Sequence, residues 1–347
     1  MPTSNSRISV VLRTAIAAAG ALTVTALAVT VPAAADAHNN GPDFSRHTLT
    51  QQVSLTGNGP ADQSLSSVVY QPEGGHARGI QVMVPGATYD HSYFDLKTSQ
   101  GWVSQARKAA EDGWISVAVD RIGTGKSSHP AAGDVNNTVD AATIHQLIAK
   151  LRSTYKGLPV SLVGHSQGSS VALQEAATYK DVNAVVITGL LHHAGAAEGV
   201  FGTLVHPAAE DPAFANHPAP TGYITTRPGL RQYFYWPFNA DLATVQADDA
   251  TKQTITPGES GDFMTEQNQG RFAKGVNVPV LSVVGEHDTF YFDPADRDKT
   301  VAAEPAAYPA SPHVDVKVVP NAGHDLALQR NSDDTTNYID TWLSREA

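Results

Sequence analysis

No cysteine occurs among the 347 residues, so no disulfide can hold the chain together and no lipid can be attached through a thiol. Stability must come from a packed apolar core. Positive charge is in short supply, with 23 Lys and Arg against 34 Asp and Glu and a formal net charge of −11. That balance argues against nucleic acid or an anionic membrane surface as a partner, because both select basic patches. Internal repeats are missing, and the one low-complexity tract is an Ala-rich run near the start. That run is also the one apolar stretch of near-membrane length.

It extends from Ala15 to about Val31, is preceded by Arg7 and Arg13, and is followed by Ala33-Ala34-Ala35 and Ala35-Asp36-Ala37. A basic start, an apolar middle and small-residue cleavage sites read as a secretory signal peptide over residues 1–37, cut near Ala35 or Ala37. An uncleaved anchor is the competing reading, and the cleavage sites directly after the run weigh against it. The expected product is secreted, with no stable membrane insertion. A cut at Ala35 removes the two arginines and leaves 21 basic against 34 acidic residues, a net charge of about −13.

Beyond a polar stretch at 36–46, His47–Leu55 and Ser66–Tyr70 alternate as an antiparallel entry pair would. Short β-branched runs then alternate with helical segments. The runs are Ile80–Val84, Trp114–Val119, Val160–Val163, Val182–Ile187, Val278–Val284 and Val314–Val319, with helices expected near 98–112 and over Val135–Tyr155. Such continuous apolar runs predict strands buried on both faces, hence an α/β fold with a mostly parallel sheet covered by helices. The rhythm fails between Leu191 and Lys274, a stretch rich in Pro, Gly, His and aromatics that is too long for a simple loop. It is expected to form an inserted, mostly helical cap over 191–275, between a first core part at 38–190 and a second at 276–347.

Gly164-His165-Ser166-Gln167-Gly168 fits G-x-S-x-G, directly after the Val160–Val163 run and before a helix-forming segment from Ser169 to Ala177. A serine hydroxyl is a weak nucleophile unless a sharp strand-to-helix turn presents it to a base, and the flanking glycines relieve crowding at such a turn. Serine chemistry also needs a base, an acid to orient that base, and donors for the oxyanion. Asp288 lies just past the Val278–Val284 run, and His324 follows the Val314–Val319 run. Glu286 is a second carboxylate at the same strand end, and Asp325 is positioned to cap a following helix.

With the order Ser166, Asp288, His324, the chain resembles the α/β-hydrolase superfamily over nearly all of its length beyond the leader, as a secreted serine esterase or lipase-like member with a cap. Val84-Pro85-Gly86-Ala87 resembles that family's oxyanion loop, with Pro85 where a histidine is usual. The resemblance implies an oxyanion hole from the backbone N–H groups of Ala87 and Gln167, with Thr88 as the alternative to Ala87. Asp120-Arg121-Ile122-Gly123-Thr124-Gly125-Lys126-Ser127 resembles the family's D-x-x-G-x-G-x-S loop. Its Gly125-Lys126-Ser127 also looks like the end of a phosphate-binding loop, but Asp120 stands where that motif needs glycine, which excludes the nucleotide reading.

Tyr233–Phe238 is the densest aromatic stretch, and is either the cap's own core or a wall over Ser166. On the second reading Tyr235 and Trp236 bind substrate together with Tyr89 and Phe290, while Tyr93, Phe94, Tyr291 and Phe292 line the same mouth. His165 is expected to be a packed core residue. His192, His193 and His206 lack a spaced carboxylate partner, so no metal is expected. The whole reads as a secreted serine hydrolase cleaving carboxylic esters with apolar bulk, small-molecule or lipid-like, without cofactor. Amide, peptide or lactone hydrolysis on the same triad is the alternative, and a non-catalytic binding protein is the reading from a different class.

Overall fold

The computed structural model describes residues 43–347 except 194, 196, 197, 217, 293 and 294. The proposed leader at 1–37 lies outside the described residues. Eight strands form one sheet: β1 (Phe44–Val53), β2 (Gln63–Pro72), β3 (Ile80–Val84), β4 (Ile115–Asp120), β5 (Val160–His165), β6 (Ala184–Thr188), β7 (Val280–Gly285) and β8 (Val314–Val319). Their spatial order is β1-β2-β4-β3-β5-β6-β7-β8. Strand β2 is antiparallel to both neighbours, and every later pairing is parallel.

Period-two alternation explains why the parallel strands read as unbroken apolar runs. Val82, Val117, Leu162 and Val185 belong to the core on one face, whereas Met83, Ala118, Val163 and Val186 belong to the core on the other. The first face is covered by α2 (Asn137–Thr154) and α3 (Gln167–Tyr179), through Ile144, Leu147, Leu151, Val171 and Leu173. On the second face, α1 (Gln105–Glu111) and the last helix (Ser332–Glu346) supply Ala106, Ala109, Ile339, Trp342 and Leu343. Each such aliphatic side chain contributes about 1.5–3 kcal/mol when fully buried, so truncating Leu162 to Ala would cost about 2–5 kcal/mol. Capping is local and conventional: Asn136 Oδ1 accepts from the Val139 N–H at 3.1 Å to start α2, and Lys180, at φ 55°, ends α3.

Two sequence expectations need correction. The helix expected near 98–112 begins at Gln105, because Leu96–Thr98 and Gly101–Val103 pair as a short hairpin before it. The stretch at 191–275 is less helical than expected. Among its described residues it holds several 3₁₀ turns, an antiparallel ribbon of Val205–Pro207 with Ile224–Thr226, the four-residue helix Phe201–Leu204, and the longer helices α4 (Leu242–Thr251) and α5 (Pro257–Gln269). No helix among the described residues is long and apolar enough to cross a membrane.

Candidate active site

Register brings the site together. Val84 pairs with Gly164, and His165 with Thr188, so the loops after β3, β5 and β6 leave the sheet at one level. Gly285 pairs with Val319 and sets the loops after β7 and β8 side by side. This is the carboxyl edge of the parallel strands, where ligands of open α/β sheets bind.

Ser166 stands between β5 and α3 at φ 49° and ψ −117°, a conformation that costs an L-residue strain. Its neighbours explain the glycines. A Cβ on Gly164 would lie 2.5 Å from the Gly168 carbonyl oxygen, and one on Gly168 would lie 2.1 Å from that of Val84. Ser166 is half-buried. His324 and Asp288 are buried, with His324 Nδ1 2.9 Å from Asp288 Oδ2, while Asp288 Oδ1 accepts from the Phe290 N–H at 3.2 Å. The ring nitrogen facing Asp288 is thereby the donor, which leaves the Nε2 lone pair of His324 free to accept. Burial pushes His324 down, but the charge and hydrogen bond of Asp288, with Asp325 behind it, outweigh burial and hold it above its ordinary 6.5. Glu286 does not reach His324. It pairs with Arg297 at 3.0 Å and accepts from the Asn321 N–H at 3.1 Å.

Ser166 and His324 line one apolar cavity of about 100 Å³ with Ala87, Tyr89, Gln167 and Phe290. Phe201, Phe234, Ile255, Phe263 and Met264, all from 191–275, line it as well, together with Ser260, Gln267 and Tyr291. Neither the Ala87 nor the Gln167 backbone N–H has an acceptor among the described residues. Gln167 is the first residue of α3, where N–H groups have no intrahelical partner and the helix dipole favours negative charge. Its side chain is turned away, donating to Asn137 Oδ1.

The aromatic expectations divide. Tyr89, Phe290 and Tyr291 line the cavity, but Tyr235 and Trp236 do not. Trp236 stacks on His287 at 3.6 Å and lines a separate surface hollow with Phe292 and Tyr235. The Tyr235 hydroxyl, meanwhile, donates to Asp248 Oδ2 at 2.9 Å. Sequence density could not tell which way this turn faces; it is Phe234 that points to the site. Tyr93 and Phe94 are buried in the core, and Tyr93 stacks at 4.0 Å on His165, itself buried. Asp325 makes no cap to the turn after it. His192 has the carboxylate neighbours that sequence spacing hid, Glu304 at 2.9 Å and Glu266 at 3.4 Å, and these raise it to about 9 against the cost of its burial.

Sequence reasoning missed the buried charges that hold the loop after β3. Arg121 donates from Nε to the Pro85 carbonyl at 3.1 Å and from Nη2 to the Gly86 carbonyl at 3.0 Å. Its Nη1 binds Asp140 Oδ2 at 3.1 Å and Glu259 Oε1. Glu259 closes the capping box of α5, with its Oε2 2.7 Å from the Thr256 N–H. From the other side Arg231 donates to the Thr88 carbonyl, lies 3.9 Å over the Tyr89 ring, and pairs with Asp248 at 3.2 Å. Tyr89 bridges Asp248 and Asp325 through its hydroxyl, at 3.2 and 2.7 Å. Burial pushes Asp248 up to about 7, against the pull of Arg231 and with the charge of Asp325 adding to it, and pushes Asp325 up to about 6, against His324, the Tyr89 hydroxyl and Arg231. Two arginines thus hold the carbonyls of residues 85, 86 and 88. The one signal in sequence was Arg121 inside the D-x-x-G-x-G-x-S loop.

The comparisons with known proteins agree with this architecture. A carboxyl esterase from Bacillus coagulans superposes with a TM-score of 0.62 at 17% identity, over 87% of this chain and 99% of that one. A soluble variant of monoglyceride lipase from Saccharomyces cerevisiae gives 0.60 at 17% identity, over 82% and 92%. An esterase from Thermogutta terrifontis gives 0.55 at 16% identity, over 86% and 98%. No curated protein sequence matches the chain. The model of the alpha/beta hydrolase family matches residues 81–336, from β3 to the last helix, and the chain belongs to that family.

Proposed function

We propose that this protein is a secreted serine hydrolase that cleaves carboxylic esters through an acyl-enzyme. The observation that carries the reading is one apolar cavity shared by Ser166, on its strained turn, and by His324, held 2.9 Å from Asp288. Ser166 Oγ attacks the ester carbonyl carbon while His324 Nε2 takes the hydroxyl proton. Asp288 fixes the tautomer and stabilises the imidazolium that forms. The Ala87 and Gln167 N–H groups receive the negative oxygen of the tetrahedral intermediate, each such donor being worth on the order of 10²–10³ in rate. His324 then returns its proton to the departing alkoxide. Water repeats the sequence on the acyl-serine, releasing the acid and restoring Ser166.

Support for an ester substrate comes from the apolar cavity and from structural neighbours that are themselves an esterase and a monoglyceride lipase. Support for secretion is the pattern of residues 1–37. The test is a p-nitrophenyl ester series beside an aminoacyl-anilide panel, run with Ser166→Ala and His324→Ala. Ester turnover that both variants abolish without loss of fold is the expected result. Anilide turnover exceeding ester turnover would overturn the substrate assignment.

A further inference from the structure

The middle of α2 and the second half of α3, away from the residues that line the cavity, hold a group of side chains that the hydrolase reading does not use. His145 on α2, Glu175 on α3 and Asp181 just past α3 place one nitrogen and two carboxylate oxygens within 4.8 Å of one another. His145 Nδ1 lies 2.8 Å from Asp181 Oδ2 and 3.7 Å from Glu175 Oε1. Glu175 is fully buried, its carboxylate oxygens accept from no N–H or hydroxyl donor among the described residues, and its carboxyl faces that of Asp181. Asp181 Oδ1 is likewise buried and unpartnered. A buried carboxyl group without a donor is costly, and two facing carboxylates need something positive between them.

We propose that His145, Glu175 and Asp181 form a binding site for a divalent transition-metal cation of the Zn²⁺ type, tying α2, α3 and the turn after α3 together. One imidazole nitrogen with two carboxylates is a donor set that Zn²⁺ accepts, with water in the fourth position. Around a tetrahedral ion with bonds of about 2.0–2.1 Å, ligand atoms stand about 3.4 Å apart. The 3.7 Å pair already fits, and the 2.8 Å pair must open. His145 and Asp181 are partly exposed, so the ion has a path from solvent and His145 has room to turn. Its ring is kept in plane by stacking on Tyr179 at 3.9 Å. Arg152 is the cation nearby. Its Nε binds the Asp181 backbone carbonyl at 2.9 Å and its side chain is solvent-exposed, so its opposition to a metal is screened.

Without metal, a proton shared between the carboxyl groups is the competing occupant, and burial with the Asp181 charge pushes Glu175 up to about 10. Metal must displace that proton, so binding releases protons and weakens as pH falls. The site lies nine residues along α3 from Ser166, about 13.5 Å at the helical rise. It is a structural site, independent of turnover.

Isothermal titration of the full-length protein with Zn²⁺ near pH 7.5 tests this, comparing wild type with Glu175→Gln and His145→Gln. Glu175→Gln keeps shape and supplies its own amide donor to Asp181, so it is expected to fold whether or not metal binds. The expected result is one site per chain in the wild type, at least tenfold weaker in each variant, with ester turnover unaltered in Glu175→Gln. Equal Zn²⁺ affinity in wild type and Glu175→Gln, or no site above the background of exposed histidines, would overturn the proposal and assign the pocket to a shared proton.

Discussion

The guanidinium of Arg121 lies 3.0 Å from the carbonyl oxygen of Gly86, on the loop that brings Ala87 into the cavity shared with Ser166. A peptide group has its C=O and N–H on opposite sides, so a cation on the carbonyls of residues 85 and 86 orients the N–H groups of residues 86 and 87. Arg121→Lys keeps a charge for Asp140 and Glu259 but cannot reach two carbonyls with one planar fork. Steady-state kinetics should show kcat for a short ester falling by about 10–10²-fold with KM little changed. Unchanged kcat would mean that the loop holds its shape without this contact.

Asp288 Oδ2 and Glu286 occupy the same strand end but different surroundings, and kinetics should separate them. Asp288→Asn removes the acceptor that fixes the His324 tautomer, so kcat should fall on the order of 10⁴-fold at neutral pH. Glu286→Gln breaks a half-exposed pair with Arg297 and should leave kcat within a factor of about two. The reverse ranking would assign the acid to Glu286.

The pH dependence follows from the raised pKa of His324. Protonated His324 has no lone pair for the Ser166 proton, so activity is present above the pKa and lost as pH falls through it. Because Asp288 and Asp325 together overcome the effect of burial, the acid limb of kcat/KM should have its midpoint above 6.5. His165, the other titratable ring beside His324, is buried and held neutral far below its usual range, first by desolvation and then by His324. Asp325→Asn should therefore move the limb to lower pH. A shift to higher pH, or none, would remove Asp325 from the electrostatics of the base.

Cavity shape gives a prediction about chain length. Phe234, Phe263 and Met264 line the apolar cavity shared with Ser166, whereas Trp236 lies in another hollow. Trp236→Ala should leave kcat/KM for short esters unchanged. Phe263→Ala should move the optimum in a p-nitrophenyl ester series toward longer acyl chains, at about 1–3 kcal/mol per accommodated methylene. An optimum that moves with Trp236 and not with Phe263 would place the acyl group on the other side of Phe234.

The parallel strands were legible because burial on both faces writes itself as β-branched runs, and their ends were displaced by only a few residues. Val280, and not Val278, starts β7, since Pro279 has no N–H for the ladder. The residues around Ser166 were legible because a strained turn and its crowding admit few residue types. Arg121 on Gly86, Arg231 on Thr88 and Tyr89 on Asp325 were not, since each joins segments far apart in sequence. No local period encodes such pairings. For the same reason sequence alone does not separate Trp236, in the outer hollow, from Phe234, two positions earlier, which lines the cavity.

The most direct measurement is covalent labelling of folded full-length protein with a fluorophosphonate probe, followed by mass mapping of the modified residue. A nucleophile activated by His324 reacts stoichiometrically, so label should sit on Ser166 alone, be absent from Ser166→Ala and be slowed sharply by His324→Ala. Ester turnover should disappear in proportion to the labelled fraction. Turnover that survives full labelling, or a folded wild type that takes no label at Ser166, would contradict the assignment of this chain as a serine hydrolase.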